Sequence, residues 1–197
     1  GNGTFTEVAA ALGVAGDAVD TFGGSWCDYD RDGWPDVFVH NDGVPNRLYH
    51  NNGGTGFTNV TPAVMIEPDV RSWGASWGDY DHDGDFDLYV SNLGSPCRLY
   101  RYTGGGAFSE VGSAAGVAAS GSQTGNCIAD FDNDLDEDLY VTAYDQPNLY
   151  YENITGAAFF NNPKAADALQ GRGTATADYD RDGDVDLFVV NSNGPFR

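Results

Sequence analysis

The amino-acid sequence predicts an all-β protein, a β-propeller of four-stranded blades. An acidic stretch of nine residues recurs four times, at spacings of 51, 51 and 48 residues. Short runs rich in β-branched and aromatic residues follow each stretch at fixed distances, and helical periodicity is almost absent. Repeats of about 40 to 50 residues that each supply four strands are typical of propeller blades. A β-sandwich is the alternative, but it gives no reason to repeat one loop four times in register.

Each repeat contains candidate strands in the same order. A run of Gly and small residues precedes the acidic stretch, a second run follows it directly, and a third run and a Phe complete the unit. We call the acidic stretches loops 1 to 4; they span 28–36, 79–87, 130–138 and 178–186. The second runs are 37–39, 88–90, 139–141 and 187–189, and the Phe residues are Phe57, Phe108 and Phe159. We therefore expect residues 1–197 to form a single β-propeller domain or a section of one.

The two ends of the chain leave the closure of the ring open. Residues 1–8 match residues 53–60, so the chain begins with the last strand of a unit. The fourth unit stops before its third strand. Two architectures are compatible with this pattern: a fourth blade closed by the N-terminal strand, or a four-repeat section of a longer array.

The protein is strongly acidic, and the acidity is local. Nine Lys and Arg stand against 30 Asp and Glu, for a formal net charge of -21, and nineteen Asp and one Glu lie within the four loops. Binding to phosphates needs clustered Lys and Arg, so this composition argues against nucleic acid as a partner and against anionic membrane surfaces. No apolar run approaches the roughly 18 residues of a membrane span, so we expect no membrane insertion.

The loops read DYDRDGWPD, DYDHDGDFD, DFDNDLDED and DYDRDGDVD, and their spacing suits calcium. Calcium takes about six to eight oxygen ligands, and carboxylates at positions 1, 3, 5 and 9 with a carbonyl at position 7 can surround one ion. Carboxylates held this close would raise one another's pKa unless a cation lies among them. We expect about four Ca²⁺ ions, one per repeat, in preference to Mg²⁺, which needs a stricter octahedron. The expected ligands are Asp28, Asp30, Asp32 and Asp36; Asp79, Asp81, Asp83 and Asp87; Asp130, Asp132, Asp134 and Asp138; Asp178, Asp180, Asp182 and Asp186; and the backbone carbonyls of Trp34, Asp85, Asp136 and Asp184.

These loops are not EF-hands. An EF-hand needs a Glu at position 12 and flanking helices. Position 12 is instead Val39, Val90, Val141 and Val189, each within an expected strand. Gly at position 6 permits a positive φ, and Leu135 replaces it in loop 3, where we expect strain of about 1 kcal/mol or more.

The combined pattern resembles the FG-GAP/VCBS repeat, as in the integrin α-subunit propeller, and is nearest in character to the repeats of cartilage acidic protein and its bacterial relatives. In the first unit the matching residues run from Phe22-Gly23 through loop 1, 37–41, 45–49 and 53–60, and the resemblance covers nearly the whole chain. It implies a propeller with calcium between the first and second strand of each blade. It also implies an extracellular protein, secreted or on a cell surface, that serves adhesion or ligand binding. Family propellers typically have about seven blades, whereas this chain supplies four repeats.

The expected partner is a protein or glycan that binds the face opposite the calcium loops. The connections after the second and fourth strands emerge there and vary most between repeats, and variable loops on a rigid scaffold usually carry binding. Catalysis has little support, because no G-x-S-x-G, H-E-x-x-H or phosphate-binding Gly loop is present. His40 and His50 are expected near strand ends, as surface or hydrogen-bonding residues. We therefore expect a binding module that is not an enzyme.

Two other functions stay open. The incomplete fourth unit is compatible with a structural subunit of an extracellular filament or assembly, a form of self-assembly in which a neighbouring subunit supplies the partner strand. The chain is also compatible with an accessory domain of a secreted carbohydrate-active enzyme, whose catalytic domain lies elsewhere.

Overall fold

The computed structural model describes residues 3–16, 20–154, 156, 158–163 and 170–192. Besides strands, this part of the chain contains a short helix, α1 (Ala9–Leu12), and a 3-10 turn at Ala63–Met65. Neither has the length and apolar character needed to cross a membrane. The strands are β1 (Thr21–Cys27), β2 (Asp36–Asn41), β3 (Arg47–Asn51), β4 (Phe57–Asn59), β5 (Arg71–Gly78), β6 (Asp87–Leu93), β7 (Arg98–Tyr102), β8 (Phe108–Glu110), β9 (Gln123–Ala129), β10 (Asp138–Ala143), β11 (Leu149–Asn153), β12 (Phe159–Asn161), β13 (Gly171–Ala177) and β14 (Asp186–Asn191).

The strands form four antiparallel sheets whose strands follow chain order. Sheets 1, 2 and 3 contain β1–β4, β5–β8 and β9–β12, and sheet 4 contains β13 and β14. The predicted strand order is therefore confirmed in the first three repeats, with an acidic loop between the first and second strand of every sheet. Closure by the N-terminal segment is not found, because residues 3–8 form no strand and Phe5 is fully exposed. The described sheets make an open row, not a closed ring.

The second strands of the first three sheets are buried along almost their whole length. Each lies between two other strands of its own sheet and packs against the first strand of the next sheet. Burial on both faces explains why their sequences are continuous apolar runs rather than alternating ones. It also places the ninth Asp of loops 1 to 3, the first residue of the strand, inside the protein.

The first strands of successive sheets contact one another, β1 with β5, β5 with β9 and β9 with β13. The approach is close because a Gly lies five residues before each acidic loop. A Cβ on Gly74 would lie 2.6 Å from the carbonyl oxygen of Thr124, and one on Gly125 would lie 2.7 Å from the Cα of Gly173. A larger residue would force the sheets apart.

Aromatic side chains fill the space between neighbouring sheets. Tyr29 in loop 1 is 3% exposed and stacks on Trp77 of sheet 2, with ring centroids 5.9 Å apart. The equivalent Tyr80 stacks on Phe159 of sheet 3 at 5.8 Å. In loop 4 the equivalent Tyr179 is 79% exposed, because no described sheet follows sheet 4. The core is thus a series of layers, in which each sheet is covered by the next.

Candidate metal centre

The backbone of each acidic loop has left-handed residues at positions 4 and 6. Position 6 is Gly in three loops, with φ of 91°, 93° and 100° at Gly33, Gly84 and Gly183. Leu135, which replaces this Gly in loop 3, has a φ of 77° and a side chain that is 80% exposed. The predicted positive φ is therefore confirmed, including at Leu135, where a side chain makes it unfavourable.

The first Asp of each loop holds the turn with one carboxylate oxygen. Its Oδ2 accepts a hydrogen bond from the N–H of position 6, at 2.9, 3.0, 3.1 and 3.2 Å in loops 1 to 4. The other oxygen, Oδ1, is buried without a hydrogen-bond partner in Asp28, Asp79 and Asp130. A buried carboxylate oxygen without a partner destabilises the fold unless a cation satisfies it.

The ninth Asp is fully buried in the first three loops, at Asp36, Asp87 and Asp138. In each case Oδ1 accepts an N–H of the third strand at 2.8 Å. The donors are Asn51, Tyr102 and Asn153, respectively. The Oδ2 atoms of Asp36 and Asp87 have no partner, whereas Oδ2 of Asp138 accepts the hydroxyl of Tyr150 at 2.7 Å. Loops 1 and 2 therefore each contain two buried carboxylate oxygens that lack a partner.

These carboxylates converge in every loop. Three ligand atoms within 4.8 Å of one another come from Asp28, Asp30 and Asp32; Asp30, Asp36 and His50; Asp79, Asp81 and Asp87; Asp130, Asp132 and Asp138; and Asp178, Asp180 and Asp186. The fifth-position residues Asp32, Asp83, Asp134 and Asp182 also shape the turn, since their Oδ1 atoms accept the N–H of position 7. That the backbone carbonyls of position 7 bind the metal ion stays a prediction.

Negative charge is unfavourable at these carboxylates in the absence of a counter-ion. Burial, with the neighbouring charges of Asp81, Asp83 and Asp79, raises the pKa of Asp87 to about 8, although the hydrogen bond from Tyr102 opposes the shift. Burial also raises the pKa of Asp36, Asp81, Asp132 and Asp138. A divalent cation removes this penalty by supplying the charge that a proton otherwise supplies.

Sequence reasoning missed one position that lies beside the loops. His50, expected near a strand end, is on β3 and its Nδ1 lies 3.3 Å from both Oδ2 of Asp30 and Oδ1 of Asp36. The same position is Arg101 in sheet 2 and Glu152 in sheet 3. All three stand 22 residues after the first Asp of their loop, so an alignment of the repeats at that distance would have found the position.

Neighbouring loops contact one another through position 4. The guanidinium of Arg31 lies over the ring of Phe86, Nε2 of His82 lies 3.0 Å from Oδ1 of Asp136, and Nδ2 of Asn133 donates to Oδ1 of Asp184 at 3.0 Å. The four loops therefore form one continuous acidic edge of the molecule.

The opposite edge carries the connections that were predicted to bind a partner. There Arg71 donates to both carboxylate oxygens of Asp42, which ties the first strand of sheet 2 to a loop of sheet 1. A cleft of about 250 Å³ is lined by Pro45, Asn46, Arg47, Asn59, Thr61 and Ile66. The connection expected after the second strand of sheet 4 is residues 191–196, and of these 193–196 lie outside the described residues.

His40 has the hydrogen-bonding role that was expected of it. It is buried, and its Nδ1 lies 3.1 Å from the carbonyl oxygen of Ser72. Burial lowers its pKa. This environment holds the ring in place between two sheets.

Comparison with known proteins places the repeats in a family. A profile of the FG-GAP-like repeat matches residues 28–90 and 130–189, which is more than half of the chain. Cartilage acidic protein 1 of Homo sapiens is 28% identical over 82% of this chain and 26% of its own length. The proteins of the same name from Mus musculus and Xenopus tropicalis are 29% and 26% identical over 72% of this chain and 24% of their own lengths. The chain spans about a quarter of the length of these relatives.

Proposed function

This chain belongs to the FG-GAP-like repeat family, and from that premise we propose that it is a calcium-stabilised extracellular module that binds or adheres to a partner and is not an enzyme. The observation that carries the proposal is the recurrence, in register, of buried carboxylate oxygens without partners in the acidic loops. An active site is needed once in a protein, whereas a stabilising ion is needed in every repeat.

The residues present fit calcium. Each loop offers carboxylates at positions 1, 3, 5 and 9 and a carbonyl at position 7, all of them oxygen ligands, which calcium prefers. When bound, calcium supplies positive charge that neutralises the loop. The first and ninth Asp then fix the ends of the first and second strands relative to each other, because they lie at or next to those ends.

The extracellular location and the partner are supported by separate observations. The relatives that share the repeats are named for cartilage, which favours a secreted or cell-surface protein. In this proposal calcium ions fill the loops of the acidic edge. The partner, a protein or a glycan, therefore binds the opposite edge. The cleft beside Asn46 and the pair Asp42–Arg71 are the surfaces we assign to it.

Calorimetric titration of the chelator-stripped protein with CaCl₂ tests the metal. We expect about four ions per chain, and one fewer for Asp79→Asn, which removes the charge of a buried ligand. Asp145→Asn, an exposed Asp outside the loops, is the matched control and should bind as the unmodified protein does. Titration without heat or stoichiometric binding would contradict the proposal.

Binding of the calcium-loaded protein to arrays of glycans and of purified matrix proteins tests the partner. Arg71→Glu on the opposite edge should weaken the interaction, whereas Arg31→Glu on the acidic edge should leave it unchanged. The reverse pattern would place the partner on the acidic edge instead.

A second candidate function is a subunit of an extracellular assembly. Sheet 4 carries large apolar side chains that are well exposed, with Tyr179 79%, Phe188 49% and Val190 38% exposed. Light scattering after size exclusion distinguishes the two functions. If the protein is an assembly subunit, it oligomerises, and the double variant Tyr179→Ser/Phe188→Ser is a monomer. If the unmodified protein is a monomer at all concentrations, the assembly function is excluded and the binding module is the function that stands.

A further inference from the structure

The first repeat differs from the others because an imidazole faces its carboxylates. The register of β2 with β3 pairs Val37 with Tyr49, so His50 lies opposite Asp36, the buried ninth Asp of loop 1. Its Nδ1 lies 3.3 Å from Oδ1 of Asp36 and 3.3 Å from Oδ2 of Asp30. One nitrogen and two carboxylate groups thus meet at one point, within 4.8 Å of one another.

The imidazole lies within ion-pair distance of both carboxylates, but it forms no hydrogen bond with either of them. Nδ1 of His50 is buried and forms no hydrogen bond despite the two nearby oxygens. Asp36 is fully buried, and its Oδ2 also has no partner. The N–H of Asn51 donates to Oδ1 of Asp36 at 2.8 Å, which fixes the orientation of the carboxylate. Oδ1 of Asp36, which faces Nδ1, already accepts the N–H of Asn51, so Nδ1 of His50 and Oδ2 of Asp36 are the two buried atoms here that a ligand would satisfy.

We propose that Asp30, Asp36 and His50 form a mixed nitrogen–oxygen site for a first-row divalent transition cation such as Zn²⁺. Imidazole is a preferred ligand of these cations, whereas calcium takes oxygen ligands. Zinc binds His nitrogen and carboxylate oxygen at about 2.0 to 2.2 Å, and the tetrahedral geometry then separates the ligand atoms by roughly 3.3 to 3.6 Å. The distance from Nδ1 to each carboxylate oxygen, 3.3 Å, agrees with this separation. A fourth position is left for solvent.

The other loops do not have this chemistry. At the equivalent position, Arg101 places a cation near loop 2, with Nη1 3.8 Å from Oδ2 of Asp81. An Arg cannot bind a metal ion, because it has no free lone pair and keeps its proton. In sheet 3 the position is Glu152, another oxygen ligand. Loop 1 can therefore bind calcium through its carboxylates but also offers a nitrogen ligand to a transition cation, whereas loops 2 and 3 offer oxygen ligands alone.

This inference rests on the proposed function, because the calcium site of loop 1 and the transition-metal site share Asp30 and Asp36. The experiment is therefore chosen so that one proposal can fail without the other. The full chain is stripped of metal and titrated with Zn²⁺ alone, while long-range ¹H–¹⁵N spectra follow the rings of the three His residues. We expect one tight Zn²⁺ per chain and a large shift of the Nδ1 resonance of His50. His50→Gln should weaken this binding by about 100-fold, at least as much as the loss of an outer-shell partner does.

Two variants serve as controls. His82→Gln removes the other His of the acidic edge, whose Nε2 lies beside Asp136, and should leave Zn²⁺ binding unchanged. Arg101→His places an imidazole opposite Asp87 and should add a second tight Zn²⁺ in loop 2. Zn²⁺ binding that is unchanged in His50→Gln, or a shift at His40 or His82 and not at His50, would overturn the proposal.

Calcium titration of His50→Gln keeps the two proposals apart. If loops 2, 3 and 4 still bind calcium while Zn²⁺ binding by the unmodified protein fails, only the transition-metal site is wrong. If Zn²⁺ binds at His50 and no loop binds calcium, only the calcium proposal is wrong.

Discussion

At the residue scale, the ninth Asp of each loop combines a structural and an ionic role. Oδ1 of Asp87 accepts the N–H of Tyr102, which joins the second and third strands of sheet 2. Its Oδ2 is buried without a partner. The same side chain therefore stabilises the sheet as an acceptor and destabilises it as a buried acid that, without a cation, must take up a proton to stay neutral.

Asp87→Asn separates these two roles. The amide oxygen can still accept the N–H of Tyr102, but the buried charge is gone. We expect the metal-free protein to become more stable and the calcium-dependent stabilisation to fall. Urea unfolding with EDTA and with CaCl₂ measures both effects, and a variant that is less stable than the unmodified protein under both conditions would contradict this reading.

Leu135 gives a second prediction at this scale. Its φ of 77° is unfavourable for a residue with a Cβ, and its side chain is largely exposed. Leu135→Gly should raise the free energy of unfolding by up to about 1 kcal/mol in saturating calcium, since the relief of strain exceeds the added entropy of the unfolded chain. Gly84→Leu, the converse change in loop 2, should lower it. Thermal unfolding measures both, and equal effects of the same sign would exclude backbone strain as the cause.

At the element scale, the acidic loops link stability to pH. The pKa of Asp87 is about 8 in the metal-free fold and roughly 3.9 in an unfolded chain, so between these values the folded state holds a proton that the unfolded state releases. Stability must then fall as the pH rises through this window. Asp36 and Asp138 shift in the same direction.

We therefore expect the protein in EDTA to melt at a higher temperature at pH 5 than at pH 8. In saturating calcium the order should reverse, because protons compete with calcium for the same oxygens. Scanning calorimetry at the two pH values measures this. A melting temperature in EDTA that rises from pH 5 to pH 8 would show that the buried carboxylates do not control the pH dependence of stability.

At the scale of the whole molecule, the close packing of first strands sets the spacing of the sheets. Gly74→Ala and Gly125→Ala each introduce a Cβ that meets backbone atoms of the next sheet. Each should lower the free energy of unfolding by about 1 to 3 kcal/mol. Gly173→Ala is the matched control, since a Cβ at this equivalent position has no atom within 4 Å, and it should change the value by less than about 0.5 kcal/mol. If all three variants lose the same free energy of unfolding, the loss comes from the change in strand propensity and not from the packing between sheets.

The sequence predicted the elements better than their long-range arrangement. The strands, the left-handed position 6 and the clustered carboxylates follow from local spacing that repeats in register, and Asp28 to Asp36 lie together because they share one turn. His50 was missed because its place beside Asp36 depends on the pairing of β2 with β3. Residues 1–8 match a last strand, but pairing with sheet 4 depends on contacts that a local match does not specify.

Thermal unfolding of the unmodified protein with calcium and with excess EDTA tests the central claim most directly. Each occupied site adds about 2.7 kcal/mol when free calcium is 100 times its Kd, and 1 kcal/mol corresponds to roughly 2 to 4 °C in a protein of this size. We therefore predict that EDTA lowers the melting temperature by more than about 10 °C and that added CaCl₂ restores it. Identical melting curves in calcium and EDTA, with no metal found in the protein by elemental analysis, would contradict the account.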